Sequence, residues 1–198
     1  MTLNPDQRKQ LKVAFLDAFP TPSELRMFLK EELDKNLDEL VSVSNLREIV
    51  FELIRNAEAN GWETKLIFAA RKSNPGNPKL AAFVRAYERE YWQKLAREVN
   101  SYEAEEADAN QAIVDVKAEV IRVIDNQPNI NDELKGLLLE IRDKLNEPGT
   151  PAAAKAKLAL PLIPGIVSYE VELDTENSLR RVFQPIKQLY KKAFDEGK

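Results

Sequence analysis

Gly61-Trp62-Glu63-Thr64-Lys65-Leu66-Ile67-Phe68-Ala69-Ala70-Arg71-Lys72-Ser73-Asn74-Pro75-Gly76-Asn77-Pro78 is the stretch from which the fold is read. Gly61 is the residue type that closes a helix in the left-handed region without a Cβ penalty. Leu66, Ile67 and Ala70 then form one apolar face at helical spacing. Asn74-Pro75-Gly76 accepts or imposes turn dihedrals, and Asn77-Pro78 restarts the chain as an N-cap followed by proline at the first helical position. The expectation is helix, turn, helix, with no catalytic constellation between the two turns. Such a stretch reads as a recognition module rather than an enzyme.

Upstream, Asn4-Pro5-Asp6 predicts a helix start, with Leu11, Phe15 and Ala18 buried and Leu16 and Phe19 helping. Pro20-Thr21-Pro22 ends that helix, because proline cannot continue the ladder and restricts the residue before it. From Pro22-Ser23-Glu24 a second helix carries Leu25, Phe28, Leu29 and Leu33. Leu37 and Leu40 lead through an irregular link, and Ser44 caps a helix with Ile49, Val50, Leu53, Ile54 and Ala57 inside. Trp62 reads as a core residue in preference to an interface anchor, given its large apolar area. Asn74 to Pro78 reads as a rigid inter-helix turn in preference to a binding loop.

Downstream, Phe83, Val84, Tyr87, Tyr91 and Leu95 predict a long helix from Leu80. The solvated run Glu103, Glu105, Glu106 and Asp108 sets a domain boundary, giving residues 1–100 and 101–198. In the second part, Ile113, Val116, Val120, Val123 and Ile124 mark one helix and Leu134, Leu137, Leu138, Ile141 and Leu145 another, a helical hairpin. Residues 156–162 and 167–174 alternate apolar and polar side chains around Pro164-Gly165, which predicts a β-hairpin with Pro161 at an edge. Lys155 and Lys157 would pair across it with Glu170 and Glu172 on the wet face. A last helix, capped by Asp174 or Thr175, carries Leu179, Val182, Phe183, Ile186, Leu189 and Tyr190, with a kink at Pro185. The expected fold class is mainly α: an N-terminal helical bundle, then a smaller α+β unit of helical hairpin, β-hairpin and C-terminal helix.

Composition narrows the chemistry. The chain has 198 residues with no Cys and no His. Disulfides, thiolate nucleophiles, Ser-His-Asp and Cys-His catalysis, imidazole proton transfer and most transition-metal sites are thereby excluded. No cofactor is called for, and Glu170 with Glu172 lacks the third convergent ligand that a metal site needs. Residues 1–100 carry 16 basic against 15 acidic side chains, and residues 101–198 carry 13 against 18. That balance argues against nucleic acid. The N-terminus shows no signal-peptide pattern, so a cytoplasmic location is expected. The longest uncharged apolar run, Leu158 to Val167, is broken by Pro161, Pro164 and Gly165, whereas a membrane-spanning helix needs about 20 residues.

One combination is specific. Pro22-Ser23-Glu24-Leu25, Lys35-Asn36-Leu37, Asn45-Leu46-Arg47-Glu48, Leu53-Ile54, Ala57-Glu58-Ala59-Asn60-Gly61-Trp62, Leu66-Ile67 and Asn74-Pro75-Gly76-Asn77-Pro78-Lys79-Leu80 follow in order. Together they resemble the effector-associated domain of the first type, a death-domain-like adaptor module of bacterial conflict and antiviral systems, over about residues 1–95. The resemblance implies like-with-like association, in which the partner is a protein carrying a matching effector-associated domain, with self-association as a further possibility. It supplies no active-site residues.

Modules that associate in this way juxtapose acidic and basic patches, which steer a partner more than they add affinity. Glu31, Glu32, Asp38 and Glu39 are the acidic candidates, and Arg47, Arg55, Arg71 and Lys72 the basic ones. The leading expectation is a non-enzymatic adaptor. The alternative is a membrane-acting effector whose C-terminal half oligomerises and inserts its amphipathic hairpin.

Overall fold

The computed structural model of the chain describes residues 3–99, 103–126, 130–169 and 178–196. Among them the regular structure is entirely helical. The chain divides into two compact units, Met1–Tyr87 and Glu88–Lys198, each with its own apolar core.

The first unit contains α1 (Pro5–Ala18), α2 (Pro22–Leu33), α3 (Leu37–Leu40), α4 (Leu46–Ala59), α5 (Glu63–Ser73) and the first half of α6 (Pro78–Glu98). All of its helices but α5, which starts at Trp62 without a side-chain cap, start where short polar side chains take up free backbone N–H groups. Asn4 and Gln7 form a capping box at α1, and Thr21 and Glu24 form another at α2. Asn45, one residue beyond the expected Ser44, caps α4 by accepting from the Arg47 N–H at 2.9 Å. Gly61 closes α4 at a φ of +67°, and the following Trp62 is buried. Asn77 accepts from the Lys79 and Leu80 N–H groups at 3.0 and 2.9 Å, which starts α6.

The capped helices turn their apolar faces inward, α1 onto α4 and α2 onto α5, with α3 touching α2 and α4. Phe15, Phe19 and Phe28 meet in the core, the last two stacked with ring centroids 4.5 Å apart. Each such buried side chain contributes about 1.5–3 kcal/mol of transfer free energy.

The second unit contains the rest of α6, then α7 (Glu106–Asn126), α8 (Asp132–Leu145), α9 (Ala152–Ala159), a 3-10 turn (Leu160–Leu162), α10 (Ile163–Val167) and α11 (Ser178–Glu196). α11 lies mainly along α7, and α9 packs on both α7 and α8. Leu179, Val182, Phe183, Ile186, Leu189 and Tyr190 make one buried face of α11, which continues as helix on both sides of Pro185. Trp92 of α6 meets the Phe183 ring edge-on at 6.2 Å.

The expected β-hairpin is not formed. Its first strand is α9, the 3-10 turn and α10, and its second would have begun at Val167, the last residue of α10; residues 170–174 lie outside the described residues, as do Glu170, Glu172 and the expected caps Asp174 and Thr175. Two causes favour helix. Ala, Lys and Leu, which fill residues 152–160, are strong helix formers. Ala152, Ala156, Ala159, Leu160, Ile163, Ile166 and Val167 also recur at helical spacing, and all are buried. Strand alternation would bury Leu158 and expose Ala159, but Leu158 is 47% exposed and Ala159 is 0%. Pro161 and Pro164 each sit in the first turn of a short helical piece, where the missing N–H costs no hydrogen bond. With the first strand gone, the amphipathic hairpin on which the membrane-acting alternative rested is gone as well. Among the described residues no helix is long and apolar enough to cross a membrane.

Candidate protein-interaction surface

The eight charged side chains picked out in the sequence do not separate into one acidic and one basic patch. Glu32 and Lys72, assigned to opposite patches, are paired with each other at 2.8 Å. Asp38 takes both arms of the Arg26 guanidinium, at 2.8 and 3.2 Å, and these hydrogen bonds hold its carboxyl below the usual carboxylate range. Glu39 accepts from the Asn36 side-chain amide at 2.9 Å, while Glu31 is exposed on α2. Arg71 is buried, and its guanidinium donates to the carbonyls of Asn74 and Pro75. The turn Asn74-Pro75-Gly76 is therefore fastened from behind, and Arg71 faces backbone instead of solvent.

Arg47 and Arg55 remain together. They project from the same side of α4, eight residues apart, and Phe51 lies midway between them. Phe51 is 45% exposed, and two cations flank its ring: Lys12 Nζ of α1 at 5.4 Å from the centroid and the Arg55 guanidinium carbon at 6.0 Å. Arg55 also reaches Glu52 at 3.2 Å, an exposed pair worth at most about 1 kcal/mol. The result is a ridge with an apolar centre and an excess of cations, made by Lys12, Arg47, Phe51 and Arg55, with Glu52 paired to Arg55 and Glu48 exposed one turn before Phe51.

The packing of α1 on α4 holds this ridge in place. Glu58, one turn beyond Arg55 and largely buried, accepts from Arg8 Nε at 2.7 Å and from the Leu3 N–H at 3.0 Å. That tie positions the turn of α1 from which Lys12 projects. Phe51 and Lys12 escaped the sequence reading because neither breaks a local rule. The available signal was Phe51 on the polar side of a helix whose other large apolar residues all face the core.

An aromatic anchor flanked by two cations suits an acidic protein surface, since a ring gives contact area at little entropic cost and the charges give orientation. Among the described residues no three acidic side chains converge in a manner suited to a metal ion. Comparison with known proteins gave no match to a curated protein or to a solved structure. Residues 1–88 match the family model of effector-associated domain 1.

Proposed function

We propose that the chain is a non-enzymatic adaptor of a bacterial conflict or immune system, acting in the cytoplasm. Its death-domain-like N-terminal unit would dock onto a matching effector-associated domain in a partner protein. The observation that carries this reading is a coincidence of boundaries: the family match ends at residue 88, and the compact N-terminal unit ends at Tyr87 with a complete core of its own. The ridge on α4 is the face we assign to docking, and an acidic surface of the partner domain is its counterpart. The C-terminal unit would be the cargo or a second docking surface.

The test mixes the full chain with a protein that carries effector-associated domain 1 and is encoded beside it, and measures complex size by light scattering. Arg47→Glu and Phe51→Ala are each expected to weaken the complex about ten-fold, and raised salt to weaken the wild-type complex. Association indifferent to salt and to both substitutions would remove the ridge from the interface. Absence of any complex with such partners would remove the adaptor reading itself.

A further inference from the structure

α7 has two faces, of which the fold uses one. Ala109, Ala112, Ile113, Val116, Val120 and Val123 are buried within the second unit. The opposite side carries Val114 and Ile121, 58% and 48% exposed, with exposed Ala118 between them. Steps of four and then three residues keep these side chains in one line, as in the seam of a two-helix coiled coil.

We propose that this seam pairs with the same seam of a second copy of the chain, antiparallel, about a two-fold axis at Ala118. The register follows from charge. Such an axis brings Val114 beside Ile121 of the second copy, to within about one residue's rise of 1.5 Å. It also sets Asp115, on one flank of the seam, level with Arg122 of the second copy to the same tolerance. A parallel pair would instead bring Lys117 next to Arg122 of the second copy, two cations. Within one chain Asp115 accepts from the Gln111 side chain at 2.9 Å and Arg122 pairs with Glu119 at 2.8 Å. A carboxylate and a guanidinium both have capacity left for a second partner.

Alanine at the axis lets the two backbones approach closely. The other flank sets Lys117 near its own counterpart, and a single helix crossing falls short of the roughly 1,200–2,000 Å² of a stable interface. The dimer is therefore weak, and it gains weight when N-terminal docking gathers several copies.

The absence of cysteine makes the test direct. Ala118→Cys places two thiols at the axis, while Leu158→Cys, on the exposed side of α9, serves as control. Under mild oxidation of the full chain, the first variant is expected to form covalent dimer at least about ten-fold faster than the second, because only close Cα pairs can be bridged. In sedimentation of the otherwise unaltered chain, Asp115→Arg and Arg122→Asp should each abolish the dimer, and the two combined should restore it. Equal cross-linking at both positions, or a combined exchange that restores nothing, overturns the pairing. A dimer lost with Arg47→Glu but kept with Ile121→Glu belongs to α4, and that result overturns the α7 assignment while leaving the adaptor reading intact.

Discussion

The two units begin their helices differently. In the first, Asn4, Thr21, Asn36, Asn45 and Asn77 each cap the helix that follows within three residues of sequence. In the second, α8 has such a cap in Asn131, but α9 starts at Pro151 without one, and the 3-10 turn and α10 start from residues already in the helical region. The free N–H groups of Ala152 and Ala153 at the start of α9 are instead taken by the Glu106 carboxylate, 46 residues back at the start of α7. In the first unit α5 alone starts without a side-chain cap, at Trp62 directly after the Gly61 turn; its other helix starts are specified by local chemistry, whereas tertiary chemistry specifies this one in the second.

Separate cores make the largest effects specific to a unit. Phe15 and Phe183 are both fully buried, and truncation of either to Ala is expected to cost about 3–5 kcal/mol. The two tryptophans divide between the cores, Trp62 in the first and Trp92 against Phe183 in the second. With Trp92→Phe as background, denaturant unfolding followed at Trp62 should move strongly with Phe15→Ala and much less with Phe183→Ala. With Trp62→Phe as background the order should reverse. Equal shifts at both tryptophans would mean that the cores fail as one.

This contrast explains what could be read beforehand. Asn4-Pro5, Pro22-Ser23-Glu24, Gly61-Trp62 and Asn77-Pro78 are signals completed within a few residues, so the starts of α1, α2, α5 and α6 are legible to within a residue or two, whereas α3 is a helix where the sequence reads as an irregular link. Residues 155–162 carry no such signal. Small Ala side chains satisfy strand and helix spacing alike, and the group that caps the start of α9, Glu106, is remote in sequence. The candidate surface is legible only in part for a similar reason. Charge type is visible in sequence, whereas pairing is not: Glu32 with Lys72 and Arg26 with Asp38 neutralise across helices. Arg71 is drawn inward by carbonyls that only a folded turn presents. Phe51 gains its meaning from Lys12, 39 residues away on another helix, which sequence spacing alone does not bring near.

The next effect tests the remote cap against a local one. Glu106→Ala strips α9 of the acceptor for two N–H groups and should cost about 1–2 kcal/mol at Trp92, with Glu106→Gln milder because one oxygen remains. Asn4→Ala should cost about 1 kcal/mol, seen at Trp62. If Glu106→Ala proves silent, the start of α9 is set by packing of its alanine face alone.

A pair of tyrosines gives a smaller effect of opposite sign in the two units. Tyr87 in the first shares a hydrogen bond with the Thr64 hydroxyl at 3.2 Å, so Tyr87→Phe should cost about 0.5–1.5 kcal/mol. Tyr190 in the second is 1% exposed, and its hydroxyl has no partner among the described residues; burial pushes its pKa well above the usual phenol value. Tyr190→Phe removes a desolvated group that gains nothing, and should leave stability unchanged or raise it by up to about 1 kcal/mol. Chemical denaturation of the two variants checks both signs.

The smallest effect is that of acid on the surface ties of the first unit. Hydrogen bonds from Lys79 to Asp17, from Lys30 to Asp34 and from Arg26 to Asp38 hold these three carboxyls below their ordinary value of 3.8. A carboxyl whose folded pKa is depressed contributes stability that is fully present above its unfolded value and is lost as pH falls through the folded one. The midpoint followed at Trp62 should hold steady down to about pH 5 and decline below about pH 4. All three pairs lie at the surface, so the decline should be shallow and should shrink further in about 1 M salt, where the Debye length is near 3 Å. Asp17→Asn would remove part of it, because Asp17 accepts from both Asn77 and Lys79 and so fastens α1 to the start of α6. A decline of the same size after all three aspartates are replaced by asparagine would place its origin in other carboxylates.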